Sequence, residues 1–189
     1  MQGDAHESEQ KSAPDPSRDL AYSIRFNELV RSLQRYRMPS QTSVQPRTVA
    51  VFNGPNLNLL GVREPEKYGL RTLSEIEQAC RDVAAPFEVS IDFRQTNHEG
   101  VLIDWIQEVR ENISGLVLNP AALTHSSVAL MDALATVPVK VVVVHLTNIH
   151  RREPFRATDY PAKVSHGVIA GLGVGSYTAA VRYLAEDTD

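Results

Sequence analysis

The sequence predicts a three-layer α/β fold built around a parallel sheet. Three observations carry that expectation. Strand-like and helix-like segments alternate five times between residues 47 and 187. The run "VKVVVVH" at 139–145 is apolar on both faces, as a strand covered by helices on both sides must be. The joining segments carry Gly, Pro and Asn where the chain has to turn.

Each element follows in order. "TVAVFN" at 48–53 reads as a buried strand, and the polar loop 53–69 follows it. "TLSEIEQACRDVA" places Leu73, Ile76, Ala79, Cys80 and Val83 on one helical face, with Thr72 or Ser74 as N-cap. "FEVSIDF" at 87–93 alternates as a half-buried strand does, and "RQTNHEG" is loop. "VLIDWIQEVREN" is a helix, "GLVLN" a strand, "PAALTHSS" a turn and "VALMDALATV" a helix. After the valine strand comes a long loop, 146–165, then "GVIAG" as the last strand and "GSYTAAVRYLAED" as the last helix.

The strand order expected for such a chain is 2-1-3-4-5, the flavodoxin-like arrangement. Sheets of this kind bind ligands outside the carboxyl ends of their strands. The loops after the first, third and fourth strands are therefore expected to meet, bringing together the polar segments 53–69, 119–127 and 145–156.

Residues 1–18 are charged, contain Pro and Ser, and show no periodicity, which predicts disorder. Leu20, Ile24, Leu29, Leu33 and Tyr36 recur at near-helical spacing and predict an amphipathic helix over 19–38. "PSQTSVQP" at 39–46 reads as a linker, so the domains expected are a tail (1–18), a helix with linker (19–46) and a catalytic domain (47–189).

Composition limits the function classes. The chain has 189 residues, 42% hydrophobic and 22% charged, enough for one core and a tail. No apolar stretch approaches the roughly 20 residues of a membrane helix, and the polar start does not resemble a signal peptide. With a net charge of −4 and a pI near 5.9, a nucleic-acid partner is not expected. The single cysteine, Cys80, cannot form an internal disulfide and fits a reducing cytoplasm. Of 19 basic residues only Lys11, Lys67, Lys140 and Lys163 are lysines. Arg151, Arg152 and Arg156 cluster beside histidines, and guanidinium forks match carboxylates, so a small anionic substrate is expected.

Taken singly, each polar feature has a bland reading. "NGPN" is a turn, a loop tyrosine more often packs than reacts, and a histidine at a strand end is often satisfied in the core. "GLGVG" at 171–175 lacks the full dinucleotide fingerprint and reads as a tight turn with close helix packing. His125, His145 and His150 lack a compact ligand spacing, so no metal is expected.

Taken together the features are specific. "NGPNLNLLGVREPEKYG", "RQTNHEG", "LNPAALTHSSVALMDA" and "VHLTNIHRREPFR" occur in this order, and the chain from about Arg47 to Ala185 closely resembles the type II 3-dehydroquinate dehydratases. The resemblance implies loss of water from 3-dehydroquinate to give 3-dehydroshikimate through an enolate, with no cofactor. It makes Tyr68 the base, as tyrosinate beside Arg63 and Arg152, since nearby cations favour a phenolate that is otherwise protonated at neutral pH. Asn56 matches the residue that stabilises the enolate through a water, and His145 the general acid that protonates the departing hydroxyl. Asn119, His125 and Arg156 match groups that hold substrate hydroxyls. The N–H groups of Leu146 and Thr147, with the Thr147 hydroxyl, match the carboxylate site. Asp132 matches a residue that reaches a neighbouring subunit's site, so the resemblance implies a homo-oligomer, a dodecamer built from trimers. A loop bearing both Arg63 and Tyr68 opens for substrate and closes to exclude water. A lysine-imine route fits less well, because Lys67 is the only lysine in the matched loops.

Three positions depart from the family's usual pattern: Val62, Met131 and Val143. The last stands where the family often has a glutamate two residues before the acid histidine, so His145 is expected to lack an anionic partner. A non-catalytic ligand or flavin binder on the same fold is the alternative reading, against which the combined presence of Tyr68, Arg63, Asn56 and His145 argues.

Overall fold

Residues 47–64, 66 and 69–186 are described by the computed structural model, and they belong to the unit that begins at Gln45. The tail, helix and linker expected over 1–46 lie outside the described residues. Five strands form one sheet: β1 (Thr48–Asn53), β2 (Ser90–Gln95), β3 (Gly115–Asn119), β4 (Val141–His145) and β5 (Gly167–Ala170). All neighbours pair in parallel, in the order β2-β1-β3-β4-β5. The helices are α1 (Leu73–Ala84), α2 (Glu99–Val109), α3 (Val128–Leu134) and α4 (Val174–Glu186).

Side-chain alternation along the strands divides the core into two layers. Val49, Val51, Val117, Val142 and Val144 pack with Ile76 and Cys80 of α1 and with Tyr177, Val181 and Leu184 of α4. Ala50, Phe52, Leu116, Leu118 and Val141 pack with Leu102 and Ile106 of α2 and with Leu130 and Leu134 of α3. Because both faces are covered, the strands read as continuous apolar runs.

The element boundaries that differ from expectation have local causes. Pro86 lies in a 3₁₀ turn, Ala85–Phe87, and Glu88 takes a left-handed conformation (φ 55°), so β2 starts only at Ser90. α3 stops at Leu134 because Thr136 turns its hydroxyl onto the Ala133 carbonyl (2.7 Å) just before Pro138. α1 takes Thr72 as its N-cap in a full capping box with Glu75.

The chain diverges on either side of β1, whose end residue Asn53 aligns with Gln95 of β2 and Asn119 of β3. Gly54 follows at once, donating its N–H to the Asn119 carbonyl at 2.8 Å. A Cβ at Gly54 would lie 2.5 Å from the Pro120 carbonyl oxygen, so only glycine lets the two loops approach this closely.

Candidate active site

Three loops line one cleft at the carboxyl end of the sheet. The loop after β1 is pinned by buried Leu57 and Leu60, flanking a 3₁₀ turn, Leu57–Leu59. Asn56 precedes that turn with φ 66°, a conformation Asn tolerates better than most residues. Its N–H donates to Asn97 Oδ1 at 2.9 Å, while the Gln95 side-chain amide donates to the Gly54 carbonyl and to Asn97. The "RQTNHEG" segment thus braces the Asn56 loop. Arg63 closes the turn through its N–H to the Leu59 carbonyl, and its guanidinium pairs with Glu64 at 3.2 Å.

After β3, the 3₁₀ turn Ala121–His125 presents His125. The His125 Nδ1–H donates to the Thr158 carbonyl at 2.7 Å. A carbonyl only accepts, so Nε2 is left as the acceptor nitrogen of the neutral ring.

His145 ends β4, and the following turn is fastened from behind. Ser176 Oγ donates to the His145 carbonyl at 2.9 Å, and Gly173 donates its N–H to the Leu146 carbonyl at 2.9 Å. The glycine-rich turn therefore holds the end of β4, as expected of a tight turn. Beyond it, Glu153 pairs with Arg156 at 2.6 Å and with Arg152 at 3.5 Å. A hydrogen bond within its own residue and another from Arg156 hold the Glu153 carboxyl below the usual range.

The resulting cleft has a volume of about 710 Å³, including space open to solvent. Asn56, Arg63, Asn119, His125, His145, Leu146, Thr147, Arg152 and Arg156 all line it. Three guanidiniums and two imidazoles around one opening favour a small anion. Tyr68 lies outside the described residues. Asp132 lies on the exposed side of α3 and is not among the residues lining the cleft. His150 is likewise exposed and apart from it. No three His, Cys, Asp or Glu side chains gather as a metal-ligand set among the described residues.

Two features were not read from the sequence. Asn119 is 3% exposed, and its amide N–H donates at 2.7 Å to Tyr177, whose own hydroxyl donates to Asn53 at 2.7 Å. Its carbonyl oxygen accepts the Ala121 N–H at 3.1 Å. An amide carries two N–H groups, so one commitment to Tyr177 still leaves a donor for the cleft. The second feature is Asp159. Its Oδ2 accepts from His145 Nε2 at 2.9 Å, with both side chains largely buried. The expectation that His145 lacks an anionic partner is therefore corrected: Val143 supplies none, but Asp159 reaches the ring from the long loop after β4.

Comparison with known proteins gives this arrangement a family. The model for "Dehydroquinase class II" matches residues 47–185. The chain belongs to that family. The "3-dehydroquinate dehydratase 2" of Pseudomonas aeruginosa is 55% identical over 140 residues, 74% of this chain and 95% of that one. The 3-dehydroquinate dehydratase of Streptomyces coelicolor is 50% identical over 149 residues, 78% of this chain and 94% of that one. Among solved structures, the type II dehydroquinase of Propionibacterium acnes superposes with a TM-score of 0.72 at 35% identity, covering 75% of this chain and 97% of that one. All three relatives cover nearly the whole of their own length, so the class II dehydroquinase unit is present from end to end. The family span takes in every residue of the cleft and leaves residues 1–46 outside.

Proposed function

We propose that the chain converts 3-dehydroquinate to 3-dehydroshikimate through an enolate, with Tyr68 as base and His145 as acid. As a class II dehydroquinase it is a dehydratase of 3-dehydroquinate; the residue roles are the finer part of the reading. The observation that carries them is the gathering of Arg63, Arg152, Asn56 and His145 around one cleft, contributed by two different strand-end loops.

The chemistry balances around those groups. The Tyr68 phenolate takes the proton alpha to the ketone, and the electron pair left behind forms the enolate. Arg63 and Arg152 favour the phenolate. Asn56, acting through a water, donates to the enolate oxygen as charge develops. The enolate then re-forms the ketone and expels the hydroxyl. His145 supplies the proton that lets it leave as water, because hydroxide is a poor leaving group. Asn119, His125 and Arg156 hold substrate hydroxyls. The Leu146 and Thr147 N–H groups and the Thr147 hydroxyl take the carboxylate. Closure of the segment carrying Arg63 and Tyr68 excludes water and completes the pair.

Asp132, exposed on α3, serves the site of a neighbouring subunit in a homo-oligomer, a dodecamer of trimers. Light scattering that gave a monomer at full activity would rule this assembly out.

The direct test uses the purified full chain, 3-dehydroquinate and no added cofactor. The rise in ultraviolet absorbance of the conjugated enone product is the expected result. A flat trace would support a binding protein on the same fold instead.

A further inference from the structure

The loop after β4 contributes more than the arginine turn. Its 157–160 stretch is tied to the turn after β3 at two points. The Tyr160 N–H donates to the Thr124 carbonyl at 3.0 Å, and the Thr158 carbonyl accepts from the His125 ring at 2.7 Å. Between these ties stands Asp159. Its Oδ1 accepts the Ala162 N–H at 3.0 Å, which fixes the carboxylate plane, and its Oδ2 meets His145 Nε2 at 2.9 Å. The side chains of His145 and Asp159 are only 6% and 10% exposed, so this contact is largely shielded from water.

We propose that Asp159 is the positioning residue of the acid histidine, filling from the loop the place that Val143 leaves open on the strand. This rests on the reading of His145 as the general acid. Val143 lies two residues before His145 and so on the same strand face, but it is a buried hydrocarbon with nothing to offer the ring. A carboxylate only accepts, so the proton is held on Nε2 and the ring is oriented by that bond. Nδ1 is then the nitrogen left to exchange a proton in the cleft. Among the described residues, the other charged or titratable groups lining the cleft are Arg63, His125, Arg152 and Arg156. None of these is anionic, so Asp159 supplies the carboxylate beside the ring.

Asp159→Asn isolates this role. The asparagine oxygen still caps the Ala162 N–H, so the loop is kept. Its NH₂ group then faces His145 Nε2 and can only donate, which forces the opposite tautomer and disfavours the charged ring. Turnover should fall about 10- to 100-fold, a part of the 10²–10⁴ that general acid catalysis supplies. KM should stay within about threefold. In a His145→Ala background the same substitution should add less than about a twofold loss, because the two residues act as one unit.

Turnover of Asp159→Asn close to wild type, or an equal loss in both backgrounds, would overturn the proposal. A wild-type chain inactive on 3-dehydroquinate would instead sink the dehydratase reading. If the variant does not fold, the ¹⁵N spectrum of His145 in the wild-type protein decides. A proton on Nε2 of the neutral ring supports the assignment, and a proton on Nδ1 overturns it.

Discussion

The Tyr177 hydroxyl of α4 sits 2.7 Å from both Asn119 and Asn53, joining the ends of β3 and β1 beneath the cleft. Burial pushes this phenol's pKa well up, so it stays protonated, donating to Asn53 while accepting from Asn119. Tyr177→Phe removes one group and takes a partner from one buried N–H of Asn119 and from the side-chain oxygen of Asn53. The expected loss of stability is about 1–3 kcal/mol, the cost of leaving buried polar groups unpaired. Because Asn119 also lines the cleft, KM should rise as well. Thermal or urea unfolding checks the first effect and steady-state kinetics the second. An unchanged midpoint would mean that water replaces the hydroxyl.

The parts legible in the sequence were those set by periodicity and by contiguous motifs. Val49 to Phe52 and Val141 to Val144 admit few arrangements other than strands buried on both faces, and the sheet order followed from their alternation with helices. The strand-end loops likewise carried their polar residues in unbroken runs, so the cleft could be foreseen from Asn56, His125, His145 and Arg156. Asp159 could not. It lies in an aperiodic loop 14 residues from His145, and whether it reaches the ring depends on the path that the Tyr160–Thr124 and His125–Thr158 ties impose. The Asn53–Tyr177–Asn119 chain was hidden for the same reason, since it spans 124 residues and joins three elements. Pro86 and Thr136 moved element ends by a few residues through local turn chemistry that the hydrophobic pattern does not record.

The Asp159 contact changes what Val143→Glu should do. Val143 is fully buried between Leu118 of β3 and Val168 of β5. A glutamate there cannot take Nε2, which Asp159 already engages, and it adds a polar group to the core. Stability should fall by roughly 2–5 kcal/mol. Turnover of the folded fraction should stay near that of the wild type. A raised turnover in a stable variant would show that Asp159 leaves the ring partly unserved.

Cys80 offers a separate check on the core. Burial pushes its thiol up to about 12, with Glu77 adding to the rise and Arg81 opposing it. Roughly one molecule in 10⁴ then carries thiolate at pH 8. An aromatic disulfide reagent should therefore label the native protein only as fast as it unfolds, and the denatured chain at once. The sign for stability follows: folding favours the neutral thiol, so its contribution is complete below the ordinary value of 9.0 and is lost as pH rises towards 12. Rapid labelling of native protein would contradict the packing of α1 on α4.

The proposed division of the chain, with catalysis confined to residues 47–189, is open to a simple deletion. The family span begins at residue 47, and every described residue that lines the cleft lies within it. Removing residues 1–45 should leave kcat and KM within about twofold in a variant of unchanged assembly. Lost activity with assembly intact would show that the extension completes the site.

The proposed tyrosinate at position 68 starts the reaction that His145 finishes, and Tyr68→Phe removes it alone. The ring is kept and only the base is removed, so the substrate should bind almost as before. Turnover at saturating 3-dehydroquinate should drop by several orders of magnitude. Near-normal turnover in a folded Tyr68→Phe variant would contradict the account and require another base in the cleft.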